Sequence, residues 1–196
     1  MIAGPNGSGK STLIERLGES GVAFGEYLNA DDIARHLQGT PQETSVAAQI
    51  EVRRRRQQAL DERRDHTFET VLSHPSHLDH LRLARQAGFD VVVYFVATDD
   101  PFINIGRVAN RVAHGGHDVP AERIEARYHR SLANLKLALA FAHEAVVFDN
   151  SLPGSPMQAL ATFSDGRMER LVEDARAPVW WREFLRDRLA DLGPAK

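Results

Sequence analysis

The sequence predicts an α/β fold in which a parallel β-sheet is flanked by helices, and three observations support this. Short apolar segments alternate with segments of helical periodicity, as in βαβ units. The most apolar segment, residues 91–97, is rich in valine and too short for an average helix, so it is a buried strand. A glycine-rich turn, Gly4–Ser11, separates an apolar start from an amphipathic helix. We expect one domain, because 196 residues is close to common single-domain size.

Capping and breaking signals place the elements of the first half of the chain. Residues 1–3 leave room for only a very short first strand, unless the natural chain begins upstream. Thr40 and Glu43 match a capping box with Pro41 at the first helical position, which predicts a long helix. In chain order we expect a helix over 11–18, a weak strand at 27–29, a short helix opened by Asp31 or Asp32, a helix over 41–64, a strand at 67–72, and a helix that Ser76 caps and that ends at Gly88.

The second half continues this alternation and then changes in pattern. A glycine pair, Gly115-Gly116, breaks one helix, and Pro120 starts the next. The expected elements are a strand at 91–97, a helix from Pro101 to the glycine pair, a helix from Pro120 to about 143, a strand at 146–148, a turn-rich connection over 152–156, a hairpin over 157–172 that turns at 164–166, and a C-terminal helix over 180–192. We expect a single domain over 1–196, with a helical lid at about 101–143 and a C-terminal appendage at about 152–196.

Composition excludes several classes of protein. The chain has no cysteine, which excludes disulfides, thiolate catalysis and cysteine-ligated metal sites and is compatible with the cytoplasm. The net charge is −3, from 24 basic and 27 acidic residues, which excludes a generally basic protein that coats nucleic acid. No apolar run reaches about 18 residues and no secretory signal is recognisable, so we expect no membrane span and a cytoplasmic location.

The turn Gly4–Ser11 matches the pattern G-x-x-x-x-G-K-[S/T] without a mismatch. Glycine backbones in this pattern turn successive N–H groups towards an anion, and the following helix adds its positive end. The lysine reaches the β- and γ-phosphates, and the last hydroxyl can bind Mg²⁺. The pattern therefore predicts a P-loop NTPase fold. The residues expected around the phosphates are Gly4, Pro5, Asn6, Gly7, Ser8, Gly9, Lys10, Ser11 and Thr12, with Ser11 as the Mg²⁺ ligand.

Motifs that the chain lacks narrow this class further. The sequence contains no Asn-Lys-x-Asp guanine motif, no Leu-Ser-Gly-Gly signature of ABC transporter ATPases, and no apolar strand that ends in Asp-Glu. The large group that remains is the small-molecule and nucleotide kinases. These enzymes use ATP, scattered carboxylates and a lid that carries arginines.

Two acidic positions are candidate catalytic groups. Asp31, which we favour over Asp32, follows the second predicted strand, where a carboxylate can accept a proton from an acceptor hydroxyl or bind Mg²⁺ through water. The alternative for this residue is a plain helix N-cap. Glu69 lies inside a predicted strand, where an unpaired charge is costly to bury. We therefore expect Glu69 to have a metal or substrate partner, with a structural salt bridge as the alternative.

Five arginines flank the glycine pair in the predicted lid. Arg107 and Arg111 are four residues apart and share a helix face, and Arg123, Arg127 and Arg130 repeat this spacing on the next helix. Phosphoryl transfer spreads negative charge over the γ-phosphate, which lid arginines can stabilise. A solvated charged face is the alternative, which we favour for any single arginine but not for all five.

Three further features have competing interpretations. For the arginine run Arg53–Arg56 we favour a solvated helix over RNA binding or contact with an acceptor phosphate. Three histidines within 74–80 match zinc-ligand spacing only weakly, because no acid completes the set. His117, which follows the glycine pair, fits an active-site contact and a plain turn equally well.

Taken together, these motifs resemble the zeta-toxin-like P-loop kinases, in particular their short bacterial branch. The resemblance covers residues 2–151, and the stretches Gly-Gly-His-Asp-Val-Pro and Arg-Tyr-His-Arg-Ser-Leu are more specific than the phosphate loop. The matching stretches are 2–12, 29–34, 68–70, 107–112, 115–120, 127–135 and 149–151.

The resemblance implies an ATP-dependent kinase that transfers phosphate to a small hydroxyl-bearing substrate. In the long zeta toxins this acceptor is the nucleotide sugar UDP-N-acetylglucosamine, phosphorylated at the sugar 3′-hydroxyl, and a protein antitoxin is a further implied partner. The residues that match the family's functional positions are Asp31 as proton acceptor, Glu69 as active-site acid, Lys10 and Ser11 in the phosphate loop, and Arg111 and Arg127 in the lid, with Arg107 and Arg130 beside them.

A second function class is open at this point. A nucleotide-dependent binding module would hydrolyse ATP slowly and signal through lid closure. Such a module does not need a carboxylate aimed at an acceptor, so the role of Asp31 separates the two functions.

Overall fold

The computed structural model describes residues 1–116, 118–171 and 177–186, and it contains a seven-stranded, mostly parallel sheet. The strand order is β2-β3-β1-β4-β5-β6-β7. The first five strands of this order are parallel to one another, and β6 is antiparallel to its neighbours β5 and β7. The strands are β1 (Ile2–Ala3), β2 (Glu26–Leu28), β3 (His66–Thr70), β4 (Val92–Ala97), β5 (Glu144–Asp149), β6 (Gln158–Ser164) and β7 (Arg167–Leu171).

Helices cover both faces of this sheet, so the predicted α/β fold is confirmed. One face packs Ile2 and Val96 against Leu13 of the first helix. The other face carries the larger core, to which the third, fourth and sixth helices contribute buried leucines. The helices are α1 (Lys10–Glu19), α2 (Ala30–Ala34), α3 (Pro41–Asp61), α4 (Ser76–Gln86), α5 (Pro101–Ala113) and α6 (Ala121–Phe141). In the described part of the chain, no helix is long and apolar enough to cross a membrane.

Helix starts agree with the sequence rules at some positions and differ at others. Thr40 and Glu43 form the predicted capping box of α3. The cap of α2 is Asn29, not Asp31 or Asp32, and its side chain accepts hydrogen bonds from both aspartate N–H groups. The prediction that Ser76 caps α4 is wrong. Its hydroxyl lies 2.9 Å from the ring nitrogen Nδ1 of His74 instead, and the residue before the helix offers no side-chain cap.

The predicted C-terminal hairpin is confirmed, and the segment that follows it is more buried than expected. Asp165 and Gly166 both have positive φ values, 47° and 73°, as a tight two-residue turn requires. Beyond the hairpin, Trp181–Arg186 forms a short π-helical segment, and the rest of the predicted helix over 180–192 lies outside the described residues. We expected one of the two tryptophans to be partly exposed. Instead Trp180 and Trp181 are only 2% and 4% exposed.

One member of the arginine run is buried, which corrects the expectation of a fully solvated helix. Arg56 is 4% exposed and its guanidinium carbon lies 4.5 Å from the centre of the Phe68 ring. Its Nη1 is 3.0 Å from the Nδ1 atom of His77. Because consecutive helical residues are about 100° apart, one of four must turn towards the sheet. The neighbouring Arg54 is exposed and bonds to Glu51.

Candidate functional site

The phosphate loop connects β1 to α1 at the carboxyl edge of the sheet, and its glycines are required by close contacts. A Cβ atom on Gly4, where φ is 148°, would lie 2.0 Å from the carbonyl oxygen of Val96. A Cβ atom on Gly9, where φ is 103°, would lie 2.3 Å from the side-chain nitrogen of Asn150. Both glycines therefore fix the loop by allowing neighbouring strands to approach its backbone.

Side chains from distant parts of the chain hold this loop. Asn104 of α5 donates from Nδ2 to the carbonyl oxygen of Asn6 at 2.6 Å. Asn150, directly after β5, donates to the carbonyl oxygen of Ser8 at 2.8 Å. Arg127 of α6 donates to the side-chain oxygen of Asn6 at 3.5 Å. Sequence reasoning missed Asn104 and Asn150 as site residues. The sequence signal that could have identified Asn104 is an asparagine among the apolar residues of a predicted helix.

Lys10 is the buried centre of the site. It is 8% exposed, and its Nζ donates to the carbonyl oxygens of Gly4 and Pro5 at 3.0 and 3.1 Å. The Glu69 oxygen Oε1 lies 3.7 Å from the same nitrogen. Burial lowers the pKa of Lys10 from its ordinary value, whereas the charges of Glu69 and Asp31 oppose that shift. The carboxylates therefore stabilise the charged lysine that a phosphate ligand requires.

Glu69 has hydrogen-bond donors on its other oxygen. Asn29 Nδ2 and the Tyr27 hydroxyl donate to Oε2 at 2.9 and 3.1 Å. Burial raises the pKa of Tyr27 well above its ordinary value, so Tyr27 is a neutral donor at physiological pH. We expected a metal or substrate partner for Glu69, and the partner within the protein is Lys10, which corresponds to the alternative of a salt bridge. Neither Tyr27 nor Asn29 was predicted as a site residue.

The structure separates the two candidate aspartates. Asp32 pairs with Arg35, one turn along the same helix. Asp31 is exposed in the first turn of α2, and its charge acts on Lys10. This arrangement favours Asp31 over Asp32 as the group available to an acceptor, and its catalytic role stays a prediction.

The arginines of the predicted lid lie on α5 and α6, but they have different surroundings. Arg111 acts electrostatically on Lys10, and Arg127 contacts the phosphate loop. The Nη1 atom of Arg107 is buried and has no hydrogen-bond partner within the described protein. Arg130 is exposed, and together with Arg123 it lowers the pKa of Arg127, although burial is the larger cause.

The two helices of the predicted lid are partly built into the core. Tyr128 donates to the carbonyl oxygen of Thr98 at 2.6 Å, and Leu132, Leu135 and Leu139 are buried. The end of α5 near Gly115 and the first residues of α6 are exposed, whereas Val108 and Ile124 on the same helices are buried. His117, for which we predicted either an active-site or a turn role, lies outside the described residues.

The segment after β5 is held by hydrogen bonds. Asp149 Oδ1 accepts from the Ser151 hydroxyl at 2.6 Å and from the Trp180 indole at 3.0 Å. Asp99 accepts from the Trp180 backbone N–H at 3.0 Å. These bonds orient the residue between them, Asn150, towards the phosphate loop. The charge of Asp149 also acts on Arg107, opposing the effect of burial, which lowers the pKa of that arginine.

The residues present fit a nucleoside triphosphate with Mg²⁺. The loop carries a buried lysine and, within the described ranges, a buried Ser8 hydroxyl that has no hydrogen-bond partner. The Ser11 hydroxyl group is exposed in the first turn of α1, where a phosphate-bound cation can be reached. For the alternative zinc site, no group of three or more His, Asp or Glu residues in the described ranges is arranged to hold a metal.

A cavity of about 490 Å³ lies elsewhere, at the opposite edge of the sheet. Phe24, His66, Phe89 and Tyr94 are among its lining residues, and none of the predicted site residues lines it. The candidate site around the phosphate loop is therefore distinct from this cavity.

Similar proteins support the same fold. A family model described as an AAA domain matches residues 1–138. An uncharacterized protein of Haemophilus influenzae is 30% identical over 132 residues, which cover 65% of this chain and 90% of that protein. The match therefore covers most of the length of that relative.

Solved structures are similar in fold at low sequence identity. The AvrRxo1-ORF1:ORF2 complex with ATP matches with a TM-score of 0.61 and 16% identity, covering 89% of this chain and 60% of that one. The PezAT toxin-antitoxin system of Streptococcus pneumoniae matches with a TM-score of 0.60 and 12% identity, covering 97% and 75%. The chain thus spans 60% of the length of the AvrRxo1 protein that it matches. From the matched family model, the phosphate loop and the sheet order, we conclude that the chain belongs to the AAA domain family and has a P-loop kinase-like fold.

Proposed function

We propose that this protein is a phosphotransferase that moves the γ-phosphate of ATP to the hydroxyl group of a small molecule. The observation that carries the proposal is the position of Lys10, which lies in the phosphate loop and is acted on by two carboxylates, Glu69 and Asp31. Phosphate binding alone requires the lysine. A second carboxylate that is exposed beside it is what a hydroxyl acceptor needs as a proton acceptor.

Each side chain of the site has one role in the proposed reaction. The acceptor oxygen bonds to the γ-phosphorus, the bond from that phosphorus to the bridging oxygen breaks, and ADP leaves with that oxygen. Asp31 takes the hydroxyl proton. Lys10 and the loop N–H groups stabilise charge on the transferring phosphate, and Glu69 holds Lys10. Ser11 would hold Mg²⁺, which neutralises charge on the β- and γ-phosphates when bound.

Lid arginines complete this proposal. Arg111 and Arg127 would stabilise the charge that develops on the γ-phosphate oxygens, because both already interact with the loop or its lysine. Arg107 and Arg130 would bind the remaining phosphates. The single domain over 1–196, with its lid at about 101–143, belongs to the same proposal.

For the acceptor we propose a nucleotide sugar, with UDP-N-acetylglucosamine as the first candidate. The support is the resemblance to zeta-toxin-like kinases and the fold similarity to the PezAT system, which is a toxin-antitoxin pair. On the same grounds we propose a cytoplasmic location and a protein antitoxin as a partner.

The test is an acceptor screen. Purified protein is incubated with ATP, Mg²⁺ and a set of nucleotide sugars and other hydroxyl-bearing metabolites, and mass spectrometry detects the gain of one phosphate. We expect a nucleotide sugar to gain phosphate in step with ADP release. ADP release without any phosphorylated acceptor would instead favour the binding module that hydrolyses ATP slowly.

A further inference from the structure

Asn29 occupies the junction between β2 and α2, and its side chain contacts both candidate carboxylate positions. Its Oδ1 accepts from the backbone N–H of Asp31 at 2.7 Å, which caps the helix that carries Asp31. Its Nδ2 donates to Oε2 of Glu69 at 2.9 Å. One amide group therefore joins two acidic residues that are far apart in the chain.

The two ends of this amide are chemically different, and both are needed. A helix N-cap requires only an acceptor, which Ser, Thr and Asp also supply. The contact with Glu69 requires a donor, which the amide nitrogen supplies and an ionised Asp does not. A shorter Ser side chain can cap the helix but does not extend to a carboxylate that an asparagine reaches with its outer nitrogen. Helix capping alone therefore does not explain why position 29 requires an asparagine.

The donor acts on the orientation of Glu69. Oε2 is bonded to Asn29 and Tyr27, so Oε1 is the oxygen that faces Lys10, at 3.7 Å from its Nζ. Without the amide donor, Tyr27 alone would hold Oε2, and the carboxylate would be free to rotate. The contact between Glu69 Oε1 and Lys10 Nζ would then be lost.

We propose that Asn29 is a positioning residue that orients Glu69 towards Lys10 and fixes the helix start that carries Asp31. The proposal rests on the phosphotransferase function proposed above. It assigns to Asn29 a specific effect on turnover that is separate from its effect on helix stability.

Three variants at this position separate the two effects. Asn29→Ser and Asn29→Asp keep an acceptor for the cap and remove the donor to Glu69, whereas Asn29→Ala removes both. As a control, Thr40→Ala removes the cap of α3, which lies outside the site. Melting temperature, affinity for an ATP analogue and ATP turnover are measured for each.

We expect the ranking of the variants by melting temperature to differ from their ranking by turnover. Asn29→Ser should melt close to the wild type, and Asn29→Asp, Asn29→Ala and Thr40→Ala should melt lower. Turnover should fall about tenfold or more in all three Asn29 variants, the usual order when a group that orients a functional side chain is removed. It should fall furthest in Asn29→Asp, whose charge repels Glu69, and stay near wild type in Thr40→Ala. Turnover that simply follows melting temperature would overturn the proposal.

A crystal structure of Asn29→Ser without nucleotide tests the geometry independently of activity. We expect the distance from Glu69 Oε1 to Lys10 Nζ to exceed 4 Å in at least one well-defined conformer. An unchanged Glu69–Lys10 contact would overturn the positioning role. A wild-type protein that neither turns over ATP nor phosphorylates any acceptor would refute the proposed function instead, and the crystal structure would still decide the role of Asn29.

Discussion

At the scale of single residues, the site places a buried cation between groups of opposite charge. Burial disfavours the charged form of Lys10, and Glu69 and Asp31 favour it. Its ammonium group donates hydrogen bonds to the carbonyl oxygens of Gly4 and Pro5. These contacts involve the loop and not the apolar core, so they serve ligand binding more than folding.

The substitution Lys10→Ala should therefore abolish ATP turnover while the fold survives. Removal of a buried ammonium group also removes its desolvation cost, which offsets the lost hydrogen bonds. Turnover and thermal unfolding should be compared with Lys136→Ala, which changes a lysine on α6 away from the loop. A Lys10→Ala protein that is unfolded at room temperature would show that the lysine is structural.

A second residue-scale prediction concerns acid stability near the buried arginine. Arg56 is a permanent donor to Nδ1 of His77, so that histidine must be neutral in the folded protein. Burial, followed by the charges of Arg56, His74 and Arg53, lowers the pKa of His77 to about 4. The unfolded histidine, with a pKa near 6.5, binds a proton that the folded one does not. Stability is therefore fully present above about pH 6.5 and is lost as the pH falls towards 4.

The corresponding experiment compares the wild type with His77→Gln, which keeps a neutral acceptor for Arg56. Between pH 6.5 and 4.5 the wild type should lose about 2 to 3 kcal/mol more unfolding free energy than the variant. His36→Gln changes an exposed histidine and should behave like the wild type. Equal pH slopes for the wild type and His77→Gln would show that His77 is not buried as a neutral group.

At the scale of elements, the open or closed position of the lid depends on the balance between packing and charge. The second half of α6 is in the core, whereas its first half carries Arg123, Arg127 and Arg130, whose like charges repel one another. Burial lowers the pKa of Arg127, and the charges of Arg123 and Arg130 lower it further. Phosphate oxygens would replace that repulsion with charge-assisted hydrogen bonds. The closed arrangement should therefore be favoured only when nucleotide is bound.

Hydrogen exchange tests this lid prediction. Addition of an ATP analogue with Mg²⁺ should slow exchange within 107–116 and 118–130. Residues 132–141, which are built into the core, should change little and serve as an internal control. If 107–130 is equally protected with and without nucleotide, the arginines form a fixed structural network and the lid prediction is wrong.

Elements whose signals are local could be predicted from sequence. The phosphate loop, the capping box at Thr40 and the hairpin turn at Asp165 depend on a few adjacent residues. The start of α2 was missed because Asn29, Asp31 and Asp32 are all competent caps, and only the three-dimensional structure selects among them.

At the scale of the whole molecule, the site forms where six segments meet at the carboxyl edge of a parallel sheet. This is where open α/β sheets bind ligands, because helix N-termini and loops converge there. The phosphate loop and Asp31 could be placed near this edge because each follows a predicted strand, whereas Glu69 was predicted inside a strand. Asn104 and Asn150 could not, since their bonds to the loop join residues that are separated by 98 and 142 positions.

The substitution Asp31→Asn tests the central claim most directly, with Asp32→Asn as the matched control because Asp32 is paired with Arg35. Phosphoryl transfer and ATP affinity are measured for both variants. In Asp31→Asn we expect transfer to fall about 100-fold or more, while the Kd for ATP stays within about threefold, as for a lost general base. In Asp32→Asn both quantities should stay near wild type. An Asp31→Asn protein with wild-type transfer, or one that loses ATP affinity to the same extent as transfer, would contradict the claim that Asp31 accepts the proton of a hydroxyl substrate.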